Sequence, residues 1–322
     1  MPRLLATQSH VVHGYVGNKA ATFPLQCLGW DVDCCNSVQF SNHTGYGMDR
    51  VFGNVTTEGD LDALLGGVFG NFSMDYNAML SGYLPNKESV RCMGKHYSEF
   101  KKKNKDLLWL MDPVMGDEGQ LYVNEDVIPE YRALALSPDG LVDIITPNQY
   151  ELEILYGKEI KSKQELREAL KYLHKTIPVI VVTSCSSNIF DDKSNIYCVA
   201  SIRDEDPTIF QIPFIDSYFT GVGDLFSALL LDRVSKYYAD RAPNLKFEYQ
   251  INDIINVIQR VLKVTRSLSV TNIKSKMGDV KSMKNMELRV IESRDLYHTV
   301  PLDGHGFSQL DFTTKNYIHG ML

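Results

Sequence analysis

Several motifs that mark common nucleotide-binding and hydrolytic enzymes are missing from this chain of 322 residues. There is no G-x-x-x-x-G-K-[ST] motif, and Gly14-Tyr15-Val16-Gly17 does not complete the G-x-G-x-x-G fingerprint of a dinucleotide site. The G-x-S-x-G motif and the protein-kinase motifs H-R-D and D-F-G are also absent. The sequence therefore argues against a P-loop enzyme, a Rossmann dehydrogenase, an α/β-hydrolase and a protein kinase.

Patterned metal ligands and targeting segments are missing too. The six cysteines contain no C-x-x-C pair and the eight histidines no H-x-x-x-H pair, so a zinc site is not expected. We expect the cysteines to be reduced core residues. The start MPRLLATQSH has no apolar core of signal-peptide length, and no segment approaches the roughly 18 apolar residues of a membrane helix. The expected location is the cytoplasm, with the nucleus as a second possibility.

The chain has fewer basic than acidic residues, with 33 Lys and Arg against 40 Asp and Glu and a net charge of −7. This balance argues against nucleic acid or an anionic membrane as a partner. A hydrophobic content of 44% allows a substantial core, and no repeat, low-complexity segment or long linker divides the chain. We therefore expect one domain over residues 1–299 and, at residues 300–322, a tail that packs or frays.

Short apolar runs alternate along the chain with longer segments of helical period, which is typical of βαβ units around a parallel sheet. The predicted helices are Asn18–Leu28, Glu88–Lys103, one that opens with the capping box Ser162-Lys163-Gln164-Glu165, and Asp253–Thr271. The predicted strands are Leu4–Thr7, Val32–Val38, Ala78–Ser81, Leu107–Met111, Val142–Ile145 and Val179–Thr183.

Acidic and hydroxyl side chains follow several of these strands. Asp112 opens the stretch DPVMGD, Thr146 opens TPNQYE, and Thr183-Ser184 ends another strand. Ligands of open parallel sheets bind beyond the carboxyl ends of the strands, so these clusters are expected to share one crevice with the stretch GVGD at residues 221–224. Carboxylates suit Mg²⁺, and glycine amides at a helix start suit an anion. Together they predict phosphoryl transfer.

Each cluster alone has a simpler interpretation. Asp224 after glycine fits a helix N-cap, and Asp112-Pro113 fits a turn at the end of a strand. Thr146-Pro147 fits a helix start, and Thr183-Ser184 fits polar residues that close a strand. The joint occurrence of all four after apolar runs favours the functional interpretation.

Longer motifs in the same order resemble the pyridoxal kinase family of the ribokinase-like superfamily. They are TQSHVVHGYVGNKAATFPLQ, NSVQFSNHTGY, SGYL, MDPVMGD, ITPNQYELE, VTS and GVGDLFSALLL, and the match extends from about residue 4 to about residue 297. The resemblance implies a three-layer α/β/α fold with a mostly parallel central sheet. It also implies ATP as donor, the 5′-hydroxyl of pyridoxal as acceptor, vitamin B6 salvage as the role, and a homodimer.

The resemblance assigns roles residue by residue. Asp224 resembles the catalytic base, and Gly221, Val222 and Gly223 resemble the anion hole. Substrate contacts would be Ser9, Thr44, Tyr83 and Asp224, with Val16, Val38 and Phe40 as apolar walls. ATP contacts would be Asp112, Asn148, Glu151, Thr183, Ser184, Ile215, Asp216, Ser217 and Val222. Asp117 and Glu151 would face Mg²⁺ or another divalent cation, directly or through water, and Asp112, Thr146 and Thr183 a monovalent cation, K⁺ or Na⁺.

Two departures separate this chain from the family pattern. Val222 stands where the family often has Thr, which keeps the backbone amide but removes a hydroxyl. The stretch DEGQLY at residues 117–122 is shorter than the lid of animal relatives, which leaves the role of Tyr122 open. Two alternatives therefore stand beside pyridoxal kinase activity. One is a related kinase of hydroxymethylpyrimidine or a sugar, and the other is a catalytically silent vitamer-binding protein.

Overall fold

The computed structural model describes residues 1–71, 75–192, 194–240, 246–269, 274–298 and 313–322. The strands are β1 (Arg3–Val11), β2 (Asp31–Phe40), β3 (Gly53–Val55), β4 (Ala78–Ser81), β5 (Leu108–Met111), β6 (Gly116–Asp117), β7 (Gln120–Leu121), β8 (Ile144–Ile145), β9 (Val179–Cys185), β10 (Asn195–Ile202), β11 (Thr208–Pro213) and β12 (Ile318–Met321). The helices are α1 (Asn18–Cys27), α2 (Glu58–Asn71), α3 (Lys87–Lys103), α4 (Ile128–Ala135), α5 (Gln149–Tyr156), α6 (Lys163–Leu173), α7 (Ser187–Phe190), α8 (Val222–Asp240), α9 (Phe247–Ser267) and α10 (Val280–Asn285).

Ten strands form one central sheet in the order β12-β11-β10-β9-β8-β5-β4-β1-β2-β3. The six strands from β9 to β2 in this order run parallel, whereas β10, β11 and β12 on one flank and β3 on the other are antiparallel. Strands β6 and β7 form a separate two-stranded hairpin. The parallel strands all end at the same edge of the sheet, where the predicted site clusters lie.

Helices cover both faces of the sheet, which confirms the expected three-layer α/β/α fold. Successive residues of β1 point to opposite faces: Leu5 packs with α2 to α6, whereas Leu4 and Ala6 pack with α1, α8 and α9. All of these side chains are buried, as the period of two in a strand requires when both faces are covered.

The predicted elements are present with shifted ends. Ala78–Ser81 matches β4, β1 and β2 extend beyond their predicted spans, and β8 is shorter than predicted. Helix α9 begins at Phe247, ahead of the predicted Asp253, and it ends at Ser267, while Thr271 lies outside the described residues. At α6 the Ser162 hydroxyl accepts from the Glu165 amide as predicted.

The sequence missed the antiparallel flank. Strands β10 and β11 pair along residues 195–213, a stretch whose end was expected to be irregular. The C-terminal segment packs against this flank, because β12 pairs with β11 and the amide of Lys315 donates to Asn256 in α9. Residues 300–312 of the predicted tail lie outside the described residues.

Helix α8 is anchored deep in the molecule, as its apolar run predicts. Leu225, Leu229 and Leu231 are buried, and the indole of Trp30 donates to the fully buried Asp232 at 3.0 Å. No described helix combines the length and the apolar character needed to cross a membrane. All six cysteines are free thiols, but Cys34 is exposed, so the expectation of a core position is wrong for it.

Candidate active site

A cavity of about 640 Å³ lies beyond the carboxyl ends of the parallel strands and at the start of α8. The predicted site residues that line it are Ser9, Val16, Val38, Phe40, Thr44, Tyr83, Asp112, Asp117, Thr146, Asn148, Glu151, Thr183, Ser184, Ile215, Ser217, Gly221, Val222, Gly223 and Asp224. Asp216 does not line the cavity, because its exposed carboxylate pairs with Lys274. The crevice expected from the strand ends is therefore present.

The turn before α8 has a shape that only glycine accepts. Gly221 has a φ of 79°, and a Cβ on it would lie 1.9 Å from the carbonyl oxygen of Tyr15. The turn feeds directly into α8, whose first amides have no partner within the helix and carry the positive end of its dipole. Gly223, by contrast, has an ordinary φ, and the nearest atom to its hypothetical Cβ is Asp112 Oδ2 at 3.9 Å. The start of α8 can accept an anion.

Asp224 is the third residue of α8, so it is not the N-cap that the simpler interpretation suggests. Asp224 lines the cavity, and its carboxylate lies near the amide of Gly17. Burial raises the pKa of Asp224, while the Gly17 amide and the nearby His43 oppose that rise. A carboxylate with a raised pKa, turned into a cavity, is suited to accept a proton.

Asp112 lies directly after β5, and its amide donates to Ser81 O at 2.8 Å. The Ser227 hydroxyl of α8 donates to Asp112 Oδ2 at 3.1 Å and is itself 2.8 Å from Thr146 Oγ1. Burial first, and the charge of Asp224 second, raise the pKa of Asp112. Two carboxylates thus lie near each other at the start of one helix.

Glu151 stabilises another part of the cavity rim through hydrogen bonds. It forms a capping box with Asn148 at the start of α5, and its Oε2 accepts from the Asn148 amide at 2.9 Å. Its Oε1 accepts from the amide of Met115 at 3.0 Å, and Asn148 Nδ2 donates to the carbonyl of Gly116 at 2.7 Å. Both carboxylate oxygens are therefore already acceptors, and the strand-end stretch 112–117 is fixed against α5.

The short stretch at residues 117–122 is a hairpin, not an irregular loop. Strands β6 and β7 pair around Glu118 and Gly119, both of which have a positive φ. Tyr122 follows β7, and its phenol lies near that of Tyr218 from the loop before α8. The hairpin and that loop therefore meet beside the cavity.

The far end of the cavity is mostly apolar, with a few polar groups. Val38 and Phe40 alternate along β2, with Ser9 at the end of β1 and Tyr83 just after β4. A Cβ on Gly17 would lie 2.2 Å from the carbonyl oxygen of Ser9, so the loop between β1 and α1 packs tightly over this end of the cavity. Apolar walls with few polar groups are typical of a pocket for an aromatic ring.

Sequence reasoning missed two residues beside the cavity. His43 lies inside the motif NSVQFSNHTGY but was given no role, and it lines the cavity. Glu287 follows α10 and pairs with His43 at 2.8 Å, with both side chains buried. No local pattern marks Glu287, because the groups that contact it are 241 to 272 residues away along the chain.

One group of possible metal ligands lies elsewhere in the described part of the chain. Asp62 in α2 and Cys92 and His96 in α3 bring their ligand atoms within 4.8 Å of one another. The C-x-x-x-H spacing behind it escapes a search for C-x-x-C and H-x-x-x-H. Asp62 Oδ1 lies 2.8 Å from His96 Nε2, and burial raises the pKa of the Cys92 thiol to about 11, so a contact between carboxylate and imidazole beside a protonated thiol accounts for this group.

Comparisons with known proteins agree with this geometry. A family model described as Phosphomethylpyrimidine kinase matches residues 62–239. The chain is 71% identical over 300 residues to the Saccharomyces cerevisiae protein named "Putative pyridoxal kinase BUD16", covering 93% of this chain and 96% of that one. It is 38% identical to pyridoxal kinase of Ovis aries, covering 91% and 94% of the two chains.

A solved structure extends the likeness to three dimensions. Pyridoxal kinase from Leishmania donovani, in complex with ADP and pyridoxamine, superposes with a TM-score of 0.78 at 32% identity and covers 92% of this chain and 96% of that chain. The relatives match nearly the full length of this chain, and the family's motifs meet in one cavity. The chain therefore belongs to the pyridoxal kinase family of the ribokinase-like superfamily.

Proposed function

We propose that this chain transfers the γ-phosphoryl group of ATP to the 5′-hydroxyl of pyridoxal and so makes pyridoxal 5′-phosphate. Pyridoxine and pyridoxamine are proposed as further acceptors. One observation carries the proposal: a single cavity joins an apolar end, with Ser9 and Tyr83, to the amides at the start of α8 and to Asp224. An alcohol held at the apolar end would meet a phosphoryl group held at the helix start. The domain over residues 1–299 carries all of these groups.

Asp224 is the proposed base. It takes the proton from the 5′-hydroxyl as that oxygen attacks the γ-phosphorus, while the bond from the γ-phosphorus to the bridging oxygen breaks and ADP leaves. The nearby Gly17 amide favours the ionised form of the carboxylate. The amides of Gly221, Val222 and Gly223 would hold the phosphoryl oxygens as charge spreads over them. Phosphoryl transfer depends mainly on positioning and on charge stabilisation, and fixed amides at a helix start supply both.

The donor set fits a divalent and a monovalent cation. Asp112 is 5% exposed, and burial together with the charge of Asp224 disfavours its ionised form. A cation at this position would offset that repulsion and keep both carboxylates ionised. Mg²⁺ would neutralise charge on the ATP phosphates, with Asp117 on its protein side, and K⁺ or Na⁺ would lie near Asp112, Thr146 and Thr183. Because both oxygens of Glu151 already accept amides, we propose that Glu151 reaches an ion through water.

The nucleotide would lie along the other half of the cavity, on Asn148, Ser184, Ile215 and Ser217. Asp216 is excluded from this proposed set because its carboxylate is directed outward to Lys274. Tyr122 and Tyr218, whose phenols lie near each other, would narrow the entrance beside the phosphates and limit the access of water.

The vitamer end favours pyridoxal over a sugar. A sugar needs hydrogen-bond partners for several ring hydroxyls, whereas the wall here is formed by Val16, Val38 and Phe40. The family model described as Phosphomethylpyrimidine kinase makes hydroxymethylpyrimidine the second candidate acceptor. Parallel assays with both alcohols rank them, and a kcat/KM for hydroxymethylpyrimidine above that for pyridoxal would replace the first acceptor by the second.

We propose that the protein acts in the cytoplasm, with the nucleus as a second location.

We also propose that two copies of the chain pair through the β3 edge of the sheet. Strand β3 pairs only with β2 among the described strands. Phe52, which directly precedes β3, is 71% exposed, and Val55 within it is 40% exposed. A strand edge flanked by exposed apolar side chains is suited to association. Light scattering should give a dimer for the wild type and a monomer for Phe52→Asp, and a monomeric wild type would contradict the pairing.

The activity is tested by the ATP-dependent appearance of pyridoxal phosphate absorbance with purified protein, Mg²⁺ and K⁺. Omitting ATP, and separately omitting each cation, provides the controls. Product that depends on ATP supports the kinase. Binding of pyridoxal phosphate without any turnover would support the catalytically silent protein instead.

A further inference from the structure

Glu287 lies beneath the cavity and contacts two of the loops that form it. It follows α10, is 4% exposed and does not line the cavity. Its Oε2 accepts from the Tyr15 amide at 3.1 Å, and its Oε1 accepts from the Tyr46 hydroxyl at 2.7 Å and lies 2.8 Å from His43 Nε2. One carboxylate therefore ties the loop at residues 14–17 to the loop at residues 43–46.

The same contacts extend to the start of α8. The hydroxyl of Thr220 lies 3.1 Å from His43 Nε2, the same nitrogen that lies 2.8 Å from Glu287 Oε1. Because an ionised Glu287 can only accept, the single N–H of Nε2 is shared between the Glu287 and Thr220 oxygens. Thr220 directly precedes Gly221, the first residue of the anion-hole turn. A chain of three side chains, which we name the Glu287 relay (Glu287, His43 and Thr220), thus connects the region below the cavity to the turn that would hold the phosphoryl group.

Backbone packing makes this connection stiff. A Cβ on Gly14 would lie 2.6 Å from Glu287 Oε2, and a Cβ on Gly221 would lie 1.9 Å from Tyr15 O. The loop at residues 14–17 is therefore held between Glu287 on one side and the anion-hole turn on the other. Because the backbone of Tyr15 leaves no room for a Cβ on Gly221, we expect a shift of the loop that Glu287 holds to be passed on to the turn.

The Glu287 carboxylate is ionised as well as closely packed. Burial raises the pKa of Glu287, but the contact with His43 and the hydrogen bonds from Tyr46 and from the Tyr15 amide outweigh burial, so its pKa lies below the usual value for glutamate. A Gln at this position would keep the size of the side chain, but it would lose the charge and one acceptor.

We propose that Glu287 is a positioning residue for phosphoryl transfer: through His43 and Thr220 it fixes the anion-hole turn relative to the loops that hold the vitamer. The inference rests on the proposed function. Glu287 touches neither substrate in this account, and it acts through the placement of the amides at residues 221–223. The Glu287 relay should therefore affect the transition state, where those amides act, more than the binding of ATP.

Steady-state kinetics of Glu287→Gln, Thr220→Val and Thr220→Ser test the proposal, with Glu130→Gln as the matched control. Glu130 pairs with Arg91 on the surface, away from the cavity. Glu287→Gln is expected to lower kcat by about tenfold or more and to change KM for ATP by less than about twofold. Thr220→Val should lower kcat, Thr220→Ser should restore it, and Glu130→Gln should match the wild type.

The double variant Glu287→Gln/Thr220→Val separates a relay from two independent defects. If both residues act through one relay, the fold-loss in kcat of the double variant should be smaller than the product of the two single fold-losses. A wild-type kcat in Glu287→Gln, or a double variant whose fold-loss in kcat equals the product of the two single losses, would overturn the proposed relay. Neither result would affect the proposed function. A wild type that makes no pyridoxal phosphate would overturn the proposed function, and the relay with it. Urea unfolding of each variant checks that the variant is folded, so that the kcat values of folded proteins are compared.

Discussion

The start of α8 lies between two acidic groups that are equally buried but differ in charge environment. Asp112 is 5% exposed and Glu287 is 4% exposed. Asp112 has hydroxyl partners and the carboxylate of Asp224 nearby, and its pKa is raised. Glu287 has an imidazole, a phenol and an amide, and its pKa is lowered. Burial alone therefore does not determine the state of a carboxylate, because the donors and charges around it decide the sign.

The difference divides the site into two sides. On the reaction side, Asp112 and Asp224 are held in an environment that disfavours their charge, which suits groups that accept a proton or a cation. On the scaffold side, Glu287 is held in an environment that favours its charge, which suits a fixed support. The same substitution, from carboxylate to amide, should therefore change the free energy of unfolding in opposite directions on the two sides, while it lowers kcat on both.

The largest effect on turnover is expected from Asp224→Asn on the reaction side. Loss of the base should lower kcat by about a hundredfold or more. A folded-state pKa above the unfolded value means that the ionised group destabilises the fold at neutral pH, so the variant should have a higher free energy of unfolding than the wild type. Turnover assays and urea unfolding check both parts. Unchanged turnover would remove Asp224 from its role as the base.

Asp112→Asn should have the next largest effect, lowering kcat about ten- to a hundredfold, because a neutral amide no longer attracts the proposed cation. The activity that remains should respond less to K⁺ than that of the wild type. Titration of activity with K⁺ at saturating ATP measures this response. An unaltered K⁺ dependence would place the monovalent cation elsewhere.

Gly221→Ala tests the scaffold side through the backbone. Its Cβ would collide with Tyr15 O at 1.9 Å, so we expect a loss of about 2 to 3 kcal/mol of unfolding free energy together with reduced activity. Gly223→Ala is the matched control, because it adds the same methyl at an ordinary φ inside α8 and should leave stability unchanged or slightly higher. Equal unfolding midpoints for both variants would contradict the tight fit of the turn.

Val222→Thr should have the smallest effect. It restores the hydroxyl common in the family without moving the backbone amide, so we expect KM for ATP to fall by less than about fivefold at nearly constant kcat. Initial rates over a range of ATP concentrations measure it. A large gain in kcat would mean that the hydroxyl contributes to the transition state and that this chain is impaired by its absence.

Much of the fold could be predicted because its signals are local. The strand β4, the helix α6 with its capping serine and the buried run of α8 each follow from residues within one element. The antiparallel flank was missed because β10, β11 and β12 depend on pairing between distant segments. The direction of β12 and its place beside β11 have no local signature.

The site shows the same division. The clusters at Asp112, Thr146 and Asp224 were found because they follow strands or open a helix. His43 and Glu287 were missed because their role depends on contacts between loops more than 170 residues apart in sequence. Asp216 was predicted from the family resemblance together with Ile215 and Ser217, and the outward direction of its side chain toward Lys274 is a tertiary feature.

The contrast between the two sides is tested most directly by a carboxyl-carbon NMR titration of protein labelled at its Asp and Glu side chains. Spectra of Asp224→Asn and Glu287→Gln assign the two resonances. The account predicts a midpoint for Asp224 above the ordinary aspartate value of about 3.9, and a midpoint for Glu287 below the ordinary glutamate value of about 4.3. An Asp224 midpoint at or below the ordinary value, or a Glu287 midpoint above it, would contradict the division of the site into two sides.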